Sequence, residues 1–210
     1  KIKNTMRLVK NKTGRNELFL RIQHQSWPFL GKLAFFYRRT FIRNVKIIAV
    51  IGSLGKSSTT KAIKIALGLP YNNKYISNQF GALAFSMLKI NPFSKIQVFE
   101  VALAEPGDME KIGKVILPDI VVFTSIATDH LFSFKTIENI RDEKAKMLRY
   151  IRKDGILIAN NDDDNVIWAA KKSGSEYIYY GLKSENPIKC NVHSAGIEKG
   201  LKVSFEIEEV

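Results

Sequence analysis

The sequence predicts an α/β fold: a mostly parallel sheet with helices on both faces, of the P-loop type. A short helical basic N-terminal segment precedes this body, and a C-terminal β-hairpin closes it. Three observations carry the prediction. Short β-branched runs alternate with stretches of helical apolar spacing from Val45 onward, the pattern of parallel strands joined by crossover helices. The first run leads directly into a glycine turn and then a helix. The 210 residues are 45% hydrophobic and 25% charged, ordinary values for one globular domain or one domain with an appendage.

Lys1 to Gly14 is polar, basic and without period. Arg15 to Trp27 and Pro28 to Phe41 read as two helices, because Leu18 and Ile22, then Leu30, Leu33, Phe36 and Tyr37, fall near helical spacing. Pro28 suits the first turn of the second. Val45 to Ile51 is a short β-branched run, as in a strand buried on both faces. Gly52 to Gly55 makes a tight turn, and Lys56 to Leu67 is a helix through Ala62, Ile63, Ala66 and Leu67. Ile96 to Val101 is the second strand, Pro106 to Ile116 a helix begun by its proline, and Ile120 to Thr124 the third strand. Thr136 to Ile151 reads as one long amphipathic helix through Ile137, Ile140, Met147, Leu148 and Ile151. A fourth strand at Gly155 to Ala159, a short helix at Asn165 to Lys172 and a fifth strand at Tyr177 to Tyr180 complete the alternation. Ile188 to Val210 reads as a hairpin, turning at Gly196 to Gly200. Two regions result: a basic helical segment, residues 1–44, and an α/β body, residues 45–210.

The net charge of +13 is unevenly placed. Residues 1–46 hold 12 Lys and Arg against one acid, Glu17, an excess of +11, which leaves +2 for the rest. The charge therefore describes the appendage, and binding of nucleic acid by the protein as a whole is not expected. Phe19, Trp27, Phe29, Phe35 and Phe36 alternate with Arg and Lys, a composition that suits an anionic membrane surface. The same stretch also suits two helices packed on the body. The lone cysteine, Cys190, excludes an intrachain disulfide and fits a reducing, cytoplasmic compartment, with membrane association through residues 1–44 as an addition. No apolar run reaches the ~18 residues needed to span a bilayer.

The sharpest chemical signal is Gly52-Ser53-Leu54-Gly55-Lys56-Ser57-Ser58, between a strand and a helix. Phosphate binding needs inward backbone N–H groups, glycines that let the backbone approach, and a helix N-terminus. Lysine supplies charge for the β- and γ-phosphates and a hydroxyl supplies a ligand for Mg²⁺. Gly52, Ser53, Gly55, Lys56, Ser57 and Ser58 are thus candidate nucleotide-binding residues, with Lys56 on phosphate and Ser57 on the metal. The spacing is a shortened P-loop, since Val50 stands where the usual first glycine would be. The other reading is a glycine turn with a capping serine.

At these residues the sequence resembles the central ATPase domain of the Mur ligase family, ATP-dependent acid–amino acid ligases of cell-wall precursor synthesis. Further matches follow in family order: Ser77-Asn78-Gln79-Phe80-Gly81, Phe99-Glu100-Val101, Pro106-Gly107-Asp108-Met109, Pro118-Asp119-Ile120, Asp129-His130-Leu131, Phe134, Lys144 and Asn160-Asn161-Asp162. They resemble the D-alanyl-D-alanine-adding branch in particular. Ala102, Lys146, Ser77 and Leu83 depart from residues common there.

The resemblance implies ATP and Mg²⁺ as cofactors, an acidic substrate of the UDP-sugar-peptide kind, and amide formation through an acyl phosphate. It implies that Asn78 helps hold the nucleotide, that Glu100 and Ser57 hold one Mg²⁺, and that His130 and Lys144 serve a second. The lysine at the position of Lys144 is carbamylated in most of the family, which turns a cation into a metal-binding anion. Lys56, His130 and Lys144 are the candidate catalytic residues. Asp129 fits either a partner to such a ligand or a helix cap, and Asn160 to Asp164 fits either ligands or caps. Arg141 and Lys146 are expected on a solvated helix face. His24, His193 and Cys190 belong to no constellation. Set against the family, the chain is expected to be a middle domain cut on its C-terminal side. The alternative is a phosphate-loop nucleotide-binding module without ligase activity, tethered to a membrane surface or nucleic acid by its basic N-terminal arm.

Overall fold

A computed structural model of the chain describes residues 27–70, 80–103, 105–129, 131–182, 188–194 and 202–207. In chain order the elements are α1 (Trp27–Thr40), β1 (Lys46–Ile51), α2 (Lys56–Ala66), α3 (Phe80–Leu88), β2 (Ile96–Glu100), α4 (Asp108–Ile116) and β3 (Ile120–Phe123). There follow α5 (Leu131–Phe134), α6 (Ile137–Ala145), β4 (Ile156–Asn160), α7 (Asp164–Ser173), β5 (Tyr177–Gly181), β6 (Ile188–Ser194) and β7 (Lys202–Ile207). The helix expected at Arg15 to Trp27 lies outside the described residues except for Trp27, which begins α1; the hairpin turn lies outside them too.

The strands form one sheet in the order β2-β1-β3-β4-β5-β6-β7. β1 to β6 run parallel to their neighbours. β7 returns antiparallel to β6, so the expected hairpin extends the same sheet. β1 is buried from Ile47 to Ile51, which is why its sequence is continuously apolar and not alternating. Its alternate residues feed two cores. Ile47, Ala49 and Ile51 join Val121, Phe123 and Leu157 against apolar sides of α1, α3, α4, α6 and α7. Ile48 and Val50 join Val98 and Val122 against Ile63 of α2. Helices therefore cover both faces, as expected.

Several elements differ from expectation for identifiable reasons. α4 starts at Asp108, two residues after Pro106, because Gly107 has φ 91° and cannot be helical. The long helix from Thr136 is α6 followed by a tighter 3₁₀ turn, Lys146–Tyr150. That turn buries Met147 and Leu148, which are adjacent in sequence. It also lays the Tyr150 ring on Gly113 of α4, where a Cβ would meet Cδ2 and Cγ at 2.4 and 2.8 Å. α3 had no strand–helix signal of its own; burial of Leu83, Ala84 and Met87 supports it. Arg141 is not on a solvated face, since its guanidinium lies 3.5 Å over the Trp168 ring. Lys146 is likewise half-buried and donates to Glu143 Oε2 at 2.7 Å.

Arg38, one of the cations assigned to an appendage, is buried at the N-terminal edge of the sheet. It donates to the carbonyls of Ile116, Leu117, Ile42 and Val45, and to Asp119 Oδ2 at 2.8 Å. The same Asp119 oxygen accepts from Ile47 N at 2.9 Å. Thus α1 is tied to the start of β1 and β3 by a guanidinium whose donors are all placed on protein oxygens.

Candidate functional site

Parallel sheets gather ligand groups at the carboxyl ends of their strands, and here β1, β2 and β3 end together. Glu100 closes β2 beside Val50 of β1, and Phe123 closes β3 beside Ile51. Gly52, with φ 138°, turns the chain out of β1. A Cβ on Gly52 would lie 2.1 Å from Thr124 Oγ1 and 2.9 Å from Ser125 N. The position is closed to any side chain by packing as well as by conformation. Gly55, with φ 80°, sits at the N-cap of α2 without a side-chain cap. The first-turn N–H groups of α2 are thereby left for an anion.

The segment after β3 holds this loop in shape. Ser53 N donates to Ser125 O at 2.7 Å, and Leu54 N to Ser125 Oγ at 3.1 Å. Thr124 Oγ1 donates to Leu54 O at 2.7 Å. Asn160 Nδ2 donates to Thr124 O at 2.8 Å, and Asp163 Oδ2 accepts from Ile126 N at 2.8 Å. Asp163 Oδ1 also accepts from Asn165 N and Val166 N, so it caps α7. Of the two readings of the acidic run, capping holds for Asp163. Thr124 and Ser125 were not singled out from sequence. Their signal is a hydroxyl pair directly after the strand that neighbours the loop-bearing strand.

The candidate chemical groups converge on the loop. Lys56 is half-buried and donates to Ser53 O at 2.7 Å. Ser57 Oγ donates to Glu100 Oε1 at 2.9 Å. Ser58 is exposed in the first turn of α2. Lys144, on α6, is 1% exposed, and its Nζ donates to Gly52 O at 2.8 Å and to Ser53 Oγ at 3.0 Å. Asp129 Oδ2 lies 3.6 Å from the same nitrogen. Burial pushes the Lys144 ammonium down to about 8; Asp129 opposes this and Lys56 adds to it. Asn78 and His130 lie outside the described residues.

Glu143, the neighbour of Lys144, was also not singled out from sequence. It is buried, and its Oε1 accepts from Gly107 N at 2.8 Å and Met109 N at 3.3 Å. The helix carrying Lys144 is thereby bonded to the segment that follows Glu100.

The donor set suits a magnesium nucleotide. Mg²⁺ takes hard oxygen ligands and keeps most of its shell for phosphate and water, and the Ser57–Glu100 oxygen pair offers that kind of partial site. Among the described residues no group of three His, Cys, Asp or Glu side chains is placed to hold a metal, so a closed all-protein cage is not what these residues build.

Known proteins carry the same organisation. A family model described as the Mur ligase middle domain matches residues 50–208. The UDP-N-acetylmuramoyl-tripeptide–D-alanyl-D-alanine ligase of Rickettsia prowazekii is 26% identical over 140 residues, 65% of this chain and 31% of that protein. The UDP-N-acetylmuramate–L-alanine ligase of Dictyoglomus turgidum is 30% identical over 172 residues, 80% of this chain and 35% of that protein. Among solved structures, MurF from Thermotoga maritima in complex with ADP superposes with a TM-score of 0.74 at 22% identity, covering 87% of this chain and 42% of that one. MurF from Acinetobacter baumannii gives 0.70 at 19% identity, covering 85% and 42%. The chain spans about a third of the length of these curated relatives. Fold, loop and family model agree, and the chain belongs to the Mur ligase middle-domain family.

Proposed function

We propose that this chain is the ATP-binding middle domain of an acid–amino acid ligase that forms an amide through an acyl phosphate in cell-wall precursor synthesis. The observation that carries the reading is the convergence of Lys56, Ser57, Glu100 and Lys144 on one glycine loop at the end of a parallel sheet. A nucleoside triphosphate would lie on the N-terminus of α2, with Gly52, Ser53, Gly55 and Ser58 around the phosphates; Asn78 is the residue that the family resemblance adds to the nucleotide-binding set. Lys56, now folded back on Ser53 O, would turn to the β- and γ-oxygens. Ser57 and Glu100 would hold one Mg²⁺, and His130 with Lys144 would serve a second. Bound Mg²⁺ supplies neutralisation of the charge that develops on the transferring phosphoryl group.

The protein's share is positioning. The loop and α2 align the γ-phosphoryl with a substrate carboxylate, and exclusion of water protects the acyl phosphate until an amine displaces phosphate. The acid is proposed to be a UDP-sugar-peptide, and the compartment the cytoplasm. Lys144 suits the carbamylation implied by the family. With its pKa near 8, a neutral amine is accessible; it adds CO2, forming an N–C bond and releasing one proton.

Calorimetric titration with ATP and Mg²⁺ tests the nucleotide assignment. Lys56→Ala is expected to lose most of the affinity, a weakening of at least about tenfold from the loss of a charge-assisted contact. Unchanged affinity would overturn the assignment. Phosphate release and amide formation by the whole ligase would separate the proposed enzyme from a binding module without ligase activity.

A further inference from the structure

Helix α1 has two apolar faces, and the body uses one of them. Gly31, Ala34 and Arg38 are buried against the domain. On the opposite face, at helical spacing, Phe29, Leu33 and Phe36 are 70%, 44% and 58% exposed. Lys32 and Arg39 lie along one edge of this stripe, with the Arg39 guanidinium 3.4 Å over the Phe35 ring, and Arg43 follows just past the end of the helix; all three are exposed. Beside it, a groove of about 340 Å³ between α1 and α4 is floored by Phe35 and Val115. Single exposed apolar residues are common, but an aromatic stripe along one helix face is an interaction surface.

The charge around the stripe selects the partner. No Asp or Glu occurs anywhere between Glu17 and Glu100 in the sequence. An apolar stripe edged by cations and free of acids within its own helix matches a surface that is apolar beneath and anionic above. No described helix is long and apolar enough to cross a membrane. We propose that the outward face of α1 docks on an anionic lipid bilayer. Phe29, Leu33 and Phe36 enter the boundary between headgroups and acyl chains, and Lys32, Arg39 and Arg43 engage lipid phosphates. None of these side chains belongs to the phosphate loop or to its hydrogen-bond partners, so docking and nucleotide binding are separable.

Flotation of the full 210-residue chain with phosphatidylcholine vesicles, with and without phosphatidylglycerol, tests this. The chain should float with the anionic vesicles, remain behind with pure phosphatidylcholine, and be released by salt. Phe29→Ser with Phe36→Ser should lower the partition coefficient about tenfold or more while leaving the basic residues intact. The charge-reversed pair Lys32→Glu and Arg39→Glu should do the same, and serves as the test if the first pair fails to fold by circular dichroism. Absence of flotation on anionic vesicles would overturn the proposal, and is the result expected if a protein domain covers this face. Equal flotation of both folded variants would also overturn it, since the remaining basic segment would then suffice.

Discussion

Arg38 and Lys144 are the buried cations among the described residues, 2% and 1% exposed, and they lie at opposite ends of the sheet. Arg38 reaches four main-chain carbonyls and Asp119. It holds a permanent charge in a site that satisfies it, and its work is to fasten α1 to β1 and β3. Lys144 meets one carbonyl, one hydroxyl and a carboxylate at 3.6 Å. Its ammonium is pushed down to about 8, so its charge is negotiable near neutral pH. A residue that must stay charged is placed where the fold is held; one able to change protonation or be modified is placed where phosphate chemistry is proposed.

The largest effect should come from the structural end. Arg38→Met leaves several carbonyls without their donor and removes the buried partner of Asp119, which keeps only Ile47 N and the outer cations Lys46 and Arg152; it should cost about 3–5 kcal/mol in urea unfolding. A loss below about 1 kcal/mol would remove the distinction between the two ends.

Lys144→Met should instead change the pH dependence of stability. In the wild type the folded pKa is depressed from 10.5 to about 8. Below pH 8 both folded and unfolded states carry the proton, and the burial penalty is fully present. Between about 8 and 10.5 the unfolded state binds more protons, so wild-type stability should rise relative to Lys144→Met. The slope approaches about 1.4 kcal/mol per pH unit at most. Unfolding midpoints across this range check it, and parallel curves for the two proteins would contradict the assigned environment of Lys144. The smallest of these effects belongs to Glu143→Gln. It weakens the bonds to Gly107 N and Met109 N and the pair with Lys146, at about 1–2 kcal/mol.

The sequence shows the two ends unequally. The loop end was legible because its chemistry is local: glycines, lysine and hydroxyls follow one another from Gly52 to Ser58, between a buried strand and a helix. Glu100 and Lys144 were reached through family order, and their convergence needed the strand order β2-β1-β3. Arg38 was invisible as a core residue because it sits among cations that are exposed, and only its contacts 78 to 81 residues away distinguish it from Arg39. The 3₁₀ turn after α6 was hidden for a similar reason. It goes with the packing of Tyr150 on Gly113 of another helix, a contact the local sequence does not show, while the local apolar spacing reads as uninterrupted.

Hydrogen–deuterium exchange of the wild-type chain, with and without ATP and Mg²⁺, tests the central claim most directly. Amides from Gly52 to Thr60 and from Thr124 to Ala127 should gain protection, while those from Ile42 to Ile47 and from Ile116 to Asp119 should stay unchanged. Unchanged exchange across the loop, or protection confined to the Arg38 end, would contradict the placement of the nucleotide.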